Sequence, residues 1–275
     1  MEYIIKTDED GKQITVRMVQ EKLYEAMKDI DKICKKNKID YFLTDGTCLG
    51  AVRHKGFIPW DDDVDIGMSR DDYNRFIKVL DKELPDKYVY HCYEKNKKYI
   101  VAYPAMKIRI KDTYVKEKNN IFLPNRCKDS DGIFIDVVIY DHMSKHKIID
   151  LPLRLINTIL MPIMVLFDMI HINPIILKSL FRFNARIYGK LCKNSEYIGD
   201  ELTWVYNNPF KPYIMKYSDI YPTKRIKFEN SKFSVPGNYN NYLIAKFGKN
   251  YMTPVKESKR VSKHIKDIDL NSSRK

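Results

Sequence analysis

The chain has 275 residues and a formal charge of +13, from 49 Lys and Arg against 36 Asp and Glu. Its 44% hydrophobic and 31% charged residues supply a packed core and exclude a disordered chain, and the length excludes a disulfide-stapled miniature. The basic surplus favours anionic partners such as nucleotides, nucleic acid or acidic lipid. Cysteines at 34, 48, 92, 127 and 192 are odd in number and widely spaced, with no Cys-x-x-C pair. That argues against a disulfide framework and a clustered-thiolate zinc site, and fits a reducing cytosol.

The first ten residues lack the basic stretch and apolar run of a secretory signal. From Val16 to Cys34 the apolar positions Val19, Leu23, Met27, Ile30 and Ile33 share one helical face, and Lys35, Lys36 and Lys38 suit the C-terminal dipole. Ile39–Thr44 reads as a short buried strand, and Gly46 and Thr47 open a short helix through Val52. Ser69-Arg-Asp-Asp72 resembles a capping box for a second amphipathic helix through Tyr73, Phe76, Ile77, Leu80 and Leu84, ended by Pro85.

Strand patterns follow at Tyr88–Tyr93 and at Met106–Lys111, whose alternation puts Lys107, Arg109 and Lys111 on one face. Ile133–Tyr140 is apolar on both faces, as in an interior strand, with Asp136 as its single exception. The polar segment 118–131 reads as a loop. Met-rich, Pro-punctuated helix runs from Leu151 to Cys192, then a strand at Phe228–Val235 and a helix at Tyr239–Phe247. This order predicts an α+β chain: a mixed sheet with helices over residues 1–142, and a largely helical second lobe over 143–275 whose C-terminal strand and helix complete the active-site cleft.

The segment from Leu151 to Phe183 tempts a membrane reading. Its longest uncharged run, Leu155–Phe167, has 13 residues, short of the roughly 18–20 that span a bilayer. Pro162, Asp168 and Pro174 interrupt it further, so it does not span. Two readings stand: a helical core of the second lobe, or an interfacial helix pair. Arg154, Lys178, Arg182, Arg186 and Lys190 against Asp168 favour peripheral contact with anionic membrane, at its inner face.

The chemistry gathers in Tyr41–Met68. In a strand at Asp63-Val64-Asp65-Ile66, the two carboxylates share one face while Val64 and Ile66 enter the core. Two such carboxylates repel unless a cation sits between them, and hard oxygen ligands suit Mg²⁺ or Mn²⁺. The competing reading is a solvated acidic turn, but flanking Phe57-Ile58-Pro59-Trp60 and Ile66-Gly67-Met68 argue for burial. Asp136 is either structural or a third ligand. An unpaired buried carboxylate is costly, and a metal or a cation would relieve it.

Gly46 and Thr47, then Asp63-x-Asp65, then Asp136 in a later strand together resemble the polymerase-β-type nucleotidyltransferase fold. The longer string Gly46-Thr47-x-Leu49-Gly50-Ala51-x-Arg53-His54-x-Gly56-Phe57-Ile58-Pro59-Trp60-Asp61-Asp62-Asp63-x-Asp65-Ile66 resembles the signature of the LicD family. That family comprises bacterial phosphocholine transferases and fukutin-type glycan-modifying enzymes. Gly132-Ile-Phe-Ile-Asp136 is similar to its third-carboxylate strand, and Phe247-Gly248-x-x-Tyr251-Met252-x-Pro254, followed by Arg260 and His264, to its closing motif. Asp45 and Cys48 depart from the pattern.

The resemblance implies transfer of a phospho-substituent from a CDP-linked donor, CDP-choline or similar, to a sugar hydroxyl of a cell-surface glycan or its lipid-linked precursor, with release of CMP. It implies Mg²⁺ or Mn²⁺ held by Asp63, Asp65 and Asp136, and substrate contacts at Gly46, Thr47, Arg53, His54, Lys107, Arg260 and His264. Arg53 and Lys107 are the phosphate candidates, with exposed surface cations as the alternative; His54 is read as a hydrogen-bonding residue and Trp60 as structural. The rival function is a nucleotidyltransferase that moves NMP from an NTP and releases pyrophosphate. No aromatic RNA-recognition signature, zinc-finger spacing or basic recognition helix points to nucleic acid.

Overall fold

Ten residues, Phe134–Met143, nine of them buried, hold the central sheet together, because three other strands pair with them. The structure, a computed structural model, describes residues 3–8, 10–100, 102–118, 127, 131–205, 208–262 and 264–271. Most of the loop expected at 118–131 lies outside the described residues.

A small hairpin, β1 (Ile4–Thr7) and β2 (Gln13–Thr15), leads into α1 (Val16–Lys36). The face expected to be apolar is the buried one, and Lys35 and Lys36 occupy the last turn. Then come β3 (Phe42–Leu43), α2 (Asp45–Arg53), β4 (Val64–Ser69) and α3 (Arg70–Glu83). Ser69 caps α3 as its sequence suggests: its Oγ accepts from the Asp72 amide at 3.1 Å. The strands β5 (Tyr88–Cys92), β6 (Met106–Ile110), β7 (Tyr114–Glu117) and β8 (Phe134–Met143) precede the helix pair α4 (Lys147–Met169) and α5 (Ile175–Leu191). The chain then adds β9 (Tyr197–Asp200), β10 (Ile214–Lys216), α6 (Tyr217–Ile220), β11 (Lys224–Phe228), β12 (Ser231–Val235), α7 (Tyr239–Phe247) and β13 (Ile265–Asp269).

The main sheet has seven strands. On one side β8 pairs with β4 in parallel. On the other its first half pairs antiparallel with β6 and its second half with β9. β3 extends the sheet from β4, β5 from β6 and β10 from β9, each antiparallel. The fold is therefore mixed α+β around a mixed sheet. The strand expected over Phe228–Val235 is the return arm of a hairpin, β11–β12, that turns at Glu229 and Asn230, with Glu229 at φ 52°.

β6 departs from an amphipathic strand. Lys107 and Arg109 are as buried as Met106 and Ile108, because Glu117 of β7 covers their face. Arg109 Nη2 meets Glu117 Oε1 at 2.8 Å, and Arg109 Nη1 donates to the Gly132 carbonyl at 2.7 Å. Burial works against the Glu117 carboxylate, but Lys107 and Arg109 hold its pKa below the ordinary value.

The pair α4–α5 is built inside out. The buried positions of α4 are Asp150, Arg154, Asn157, Met161, Met164 and Asp168, four of them polar. Each polar group has a partner. Arg154 Nη2 reaches Asp150 Oδ1 at 2.7 Å, Asn157 donates to the carbonyls of Phe181 and Leu202, and Lys178 of α5 meets Asp168 at 3.1 Å with neither residue exposed. The pair has an apolar core around Met161, Met164 and Phe181, which shares the interface with this polar seam, and its exterior is apolar as well. By length and composition alone α4 could cross a membrane, because its helix runs through the Asp150–Arg154 pair instead of stopping at it.

A buried pair deprived of one member leaves an uncompensated charge. Lys178→Ala is expected to cost about 3–5 kcal/mol of unfolding free energy. The double change Asp168→Leu with Lys178→Met should recover most of it, as read by urea denaturation.

Candidate active site

The register of β4 on β8 sets Asp65 directly beside Asp136, and that of β6 on β8 sets Lys107 on its other flank. Lys107, Asp136 and Asp65 therefore form one row across three neighbouring strands. Lys107 Nζ lies 2.9 Å from Asp136 Oδ1 and 3.3 Å from Glu117 Oε2, with the Phe134 ring 3.4 Å away. Far from being a surface cation, Lys107 is the buried counter-ion of Asp136.

The loop before β4 delivers the other acids. Gln20 of α1 fixes it by donating to the carbonyls of Ile58 and Asp61, at 3.0 and 2.8 Å. Asp61, Asp62 and Asp63 are all buried. Asp61 presses on α2 at Gly46, where any Cβ would fall 2.7 Å from its Oδ2 and push the carboxylate aside. Thr47 Oγ1 accepts from the Asp65 amide at 2.9 Å and locks α2 to β4.

The C-terminal segment closes the site. Asp62 Oδ2 accepts from Ser262 Oγ at 2.5 Å and from the Ile265 amide at 2.8 Å, and the His264 amide also approaches the Asp62 carboxylate, at 3.2 Å. His264 Nε2 stands 3.1 Å from Asp63 Oδ2. Asp62, Asp63 and His264 form an acidic group whose ligand atoms lie within 4.8 Å of one another, close enough to hold a metal ion. Asp63 is the shared member, reaching His264 on one side and acting electrostatically on Asp65 on the other.

Burial, then the charges of Asp63, Asp45, Asp136 and Asp61, push the Asp65 carboxyl well above the usual carboxylate range. Among the described residues no side chain pairs with it. Asp136 is also raised: burial outweighs the attraction of Lys107. A partly exposed carboxylate without a cation, among other hard oxygen donors, fits a divalent ion of the Mg²⁺ or Mn²⁺ type.

Cations rim the pit. Arg53 Nη1 donates to the Tyr251 carbonyl at 2.8 Å, and Arg260 lies over the Trp60 ring at 5.1 Å with its Nε on the Val255 carbonyl. The two are near enough that Arg260, after burial, lowers the pKa of Arg53, against the pull of Asp61. His54 packs edge-on against Trp60, and burial followed by the Arg53 charge lowers its pKa. Its ring Nδ1 is 3.4 Å from Arg53 Nε.

The site holds residues for which sequence reasoning gave no role. Lys246 of α7 bridges Asp45 at 3.1 Å and Asp200 at 2.9 Å, neutralising the departure at Asp45. Tyr242 accepts from the Asp45 amide at 2.9 Å and joins Thr44 and Tyr140 in a buried hydroxyl cluster. The acidic run contained Asp62, but its partners lie some 200 positions away, and no local pattern marks them.

Residues 38–157 match the family described as LicD/FKTN/FKRP, nucleotidyltransferase domain. That stretch is similar to the LicD-family nucleotidyltransferase domain. It is 35% identical over 147 residues to the lipopolysaccharide cholinephosphotransferase LicD of Haemophilus influenzae, covering 52% of this chain and 50% of that protein. It is 34% identical over 152 residues to an uncharacterized Rickettsia prowazekii protein, covering 53% and 54%. A Rickettsia typhi protein, also uncharacterized, shares 50% identity over 58 residues, 21% and 19% of the two chains. The chain thus spans about half the length of the first two relatives, and the stretch that matches the family includes the carboxylate row.

Crowded like charges destabilise the fold that positions them. Asp65→Asn is expected to raise the metal-free melting temperature at neutral pH by roughly 2–4 °C, equivalent to about 1 kcal/mol. The sign follows from the raised carboxyl. Its proton stabilises the fold below the ordinary carboxylate range, and that stability is lost as pH rises through the folded-state value. The gain in the variant should therefore grow from acid toward neutral pH in parallel thermal melts, and no gain at neutral pH would contradict the crowding.

Proposed function

We propose that this chain is a metal-dependent phosphotransferase that moves a phospho-substituent, phosphocholine or a close relative, from a CDP-linked donor to a sugar hydroxyl of a cell-surface glycan or its lipid-linked precursor. The observation that carries the reading is the Asp65 carboxylate, which among the described residues has no cationic partner and stands with Asp63, Asp136 and Asp61. The Haemophilus relative, named for cholinephosphotransfer to lipopolysaccharide, supports the choice of transferred group and acceptor.

In this reading Asp63, Asp65 and Asp136 supply the metal-binding oxygens, in the manner of polymerase-β-type nucleotidyltransferases. A bound Mg²⁺ or Mn²⁺ would neutralise the donor pyrophosphate and polarise the attacked phosphorus. Asp62 keeps the C-terminal segment against the pit, and His264 orients Asp63. Lys107 holds Asp136 in place from the neighbouring strand. Arg53 and Arg260, both partly exposed, offer guanidinium groups to the donor phosphates at the rim of the pit. The acceptor oxygen bonds to phosphorus and releases its proton to solvent, while the bond to CMP breaks and CMP departs with the bridging oxygen. Such transfer depends on positioning and electrostatics, which rigid strands provide.

The test is a panel of CDP-linked donors with Mn²⁺ or Mg²⁺ and candidate glycans, scored for CMP. CMP release should vanish with chelator and return with metal. Asp63→Ala and Asp65→Ala should each lower turnover by about 10³-fold or more while the circular dichroism stays that of the parent. Pyrophosphate release from a nucleoside triphosphate, with no CMP from any CDP donor, would replace this reading by nucleotidyl transfer. Near-full activity in either variant would remove the metal assignment.

A further inference from the structure

The outer face of α4–α5 is apolar where a water-facing helix is polar. Ile159 is 61% exposed, Ile176 83% and Phe183 60%, and Ile156, Ile163, Leu166, Ile170 and Leu180 extend the same surface. Solvent-facing helices usually carry charge there, and contiguous apolar exposure of this kind marks an interaction surface.

The charges around it have one sign. Between residues 145 and 193 the exposed charged side chains are Lys145, Lys147, Arg186, Lys190 and Lys193, all cations. Both acids of that stretch, Asp150 and Asp168, are buried and paired with Arg154 and Lys178. Beside the face opens a cleft of about 470 Å³, lined by Tyr93, Lys97, Leu180, Phe183 and Arg186 among others. Lys97 Nζ sits 4.0 Å over the Tyr93 ring, and Arg186 shares Glu94 with the buried Arg182. Apolar wall and exposed cations thus meet at one rim.

We propose that α4–α5 lies in the plane of an anionic bilayer surface, its isoleucine face in the acyl boundary and the Lys97–Arg186 cleft at the level of the lipid phosphates. Charge complementarity chooses this occupant. A purely apolar partner would leave the exposed lysines beside the face without counter-charge, whereas an acidic membrane supplies both chemistries at once. The polar seam of α4 argues against crossing the bilayer: Asp150, Asn157 and Asp168 are already satisfied by Arg154, Tyr188, the Leu202 carbonyl and Lys178, and spanning would detach them. The inference stands independently of the transferase reading.

The test floats the full chain with vesicles of phosphatidylcholine alone or mixed with phosphatidylglycerol. Binding is expected to the mixed vesicles and to weaken as salt rises. The triple change Ile159→Gln, Ile176→Gln and Phe183→Gln should lower that binding by about a hundred-fold without altering the thermal melt, because these side chains are exposed. Lys97→Gln with Arg186→Gln should lower it by about ten- to thirty-fold on anionic vesicles. Failure to float with either composition would overturn the proposal, as would flotation indifferent to the triple change. A concentration-dependent dimer abolished by the same triple change, with no flotation, would assign the face to a second copy instead. Donor turnover with a soluble acceptor should be the same in all these variants, which separates this outcome from any failure of the transferase reading.

Discussion

Mutual repulsion of carboxylates held on adjacent strands is the constraint from which the architecture follows. Asp65 and Asp136 face each other across a parallel pairing, and the backbone register, not a side-chain choice, fixes their proximity. A flexible loop would relieve such crowding by moving apart. A six-residue strand buried between two neighbours cannot. The fold offsets part of the cost locally, with Lys107 on Asp136 and Lys246 on Asp45, and it sets the His264 ring beside Asp63. It leaves Asp65 without such a partner among the described residues, which is where a cation has most to gain electrostatically.

The compensation draws on distant stretches of chain. Lys107 comes from β6, Lys246 from α7 and His264 from the approach to β13, so the pit is complete only when residues beyond 240 have returned to it. Asp62 is the point of return. One oxygen receives a hydroxyl and an amide from 262–265, so the acidic loop and the C-terminal strand are tied by bonds rather than by apolar contact alone. Truncating the carboxylate there leaves the buried Ile265 amide unsatisfied, so Asp62 ties the C-terminal strand to the acidic loop.

Where local periodicity ran long enough, the sequence was legible. The stripe of α1, the Ser69 cap of α3 and the helix Tyr239–Phe247 appear where the residue pattern puts them. The strands β1, β2, β7, β9, β10 and β13 have only three to five residues, too few for a period to stand out from chance. In the site, the Asp-x-Asp alternation and the lone acid in an apolar strand were visible because they break a pattern. Asp62, Glu117, Lys246 and Tyr242 break none, and their meaning arises from partners that only the fold brings near. Lys107 shows the limit most clearly: its alternation was read correctly, but β7 turned the face it lies on from surface to interior.

The helix pair reverses the usual inference from hydropathy, and the reason lies in what the seam must do. α4 starts four residues after β8 ends, and α5 is drawn toward the sheet by Arg182, which meets Glu94 at 2.7 Å and lies 3.6 Å from Glu201. Glu201 and Asp141 in turn share Arg70 of α3, so a continuous set of buried ion pairs runs from α5 to the strand that carries Asp136. Ion pairs fix direction as well as contact, because a guanidinium fork satisfies its carboxylates in few geometries. With its buried polar groups committed inward, the pair meets its surroundings chiefly with apolar side chains, edged by Lys147, Arg186 and Lys190. Rigid attachment through β8 then means that whatever receives this outer face also sets the height and orientation at which the carboxylate row stands. For an acceptor carried on lipid, that geometric coupling would replace a diffusional search in three dimensions by one along a surface.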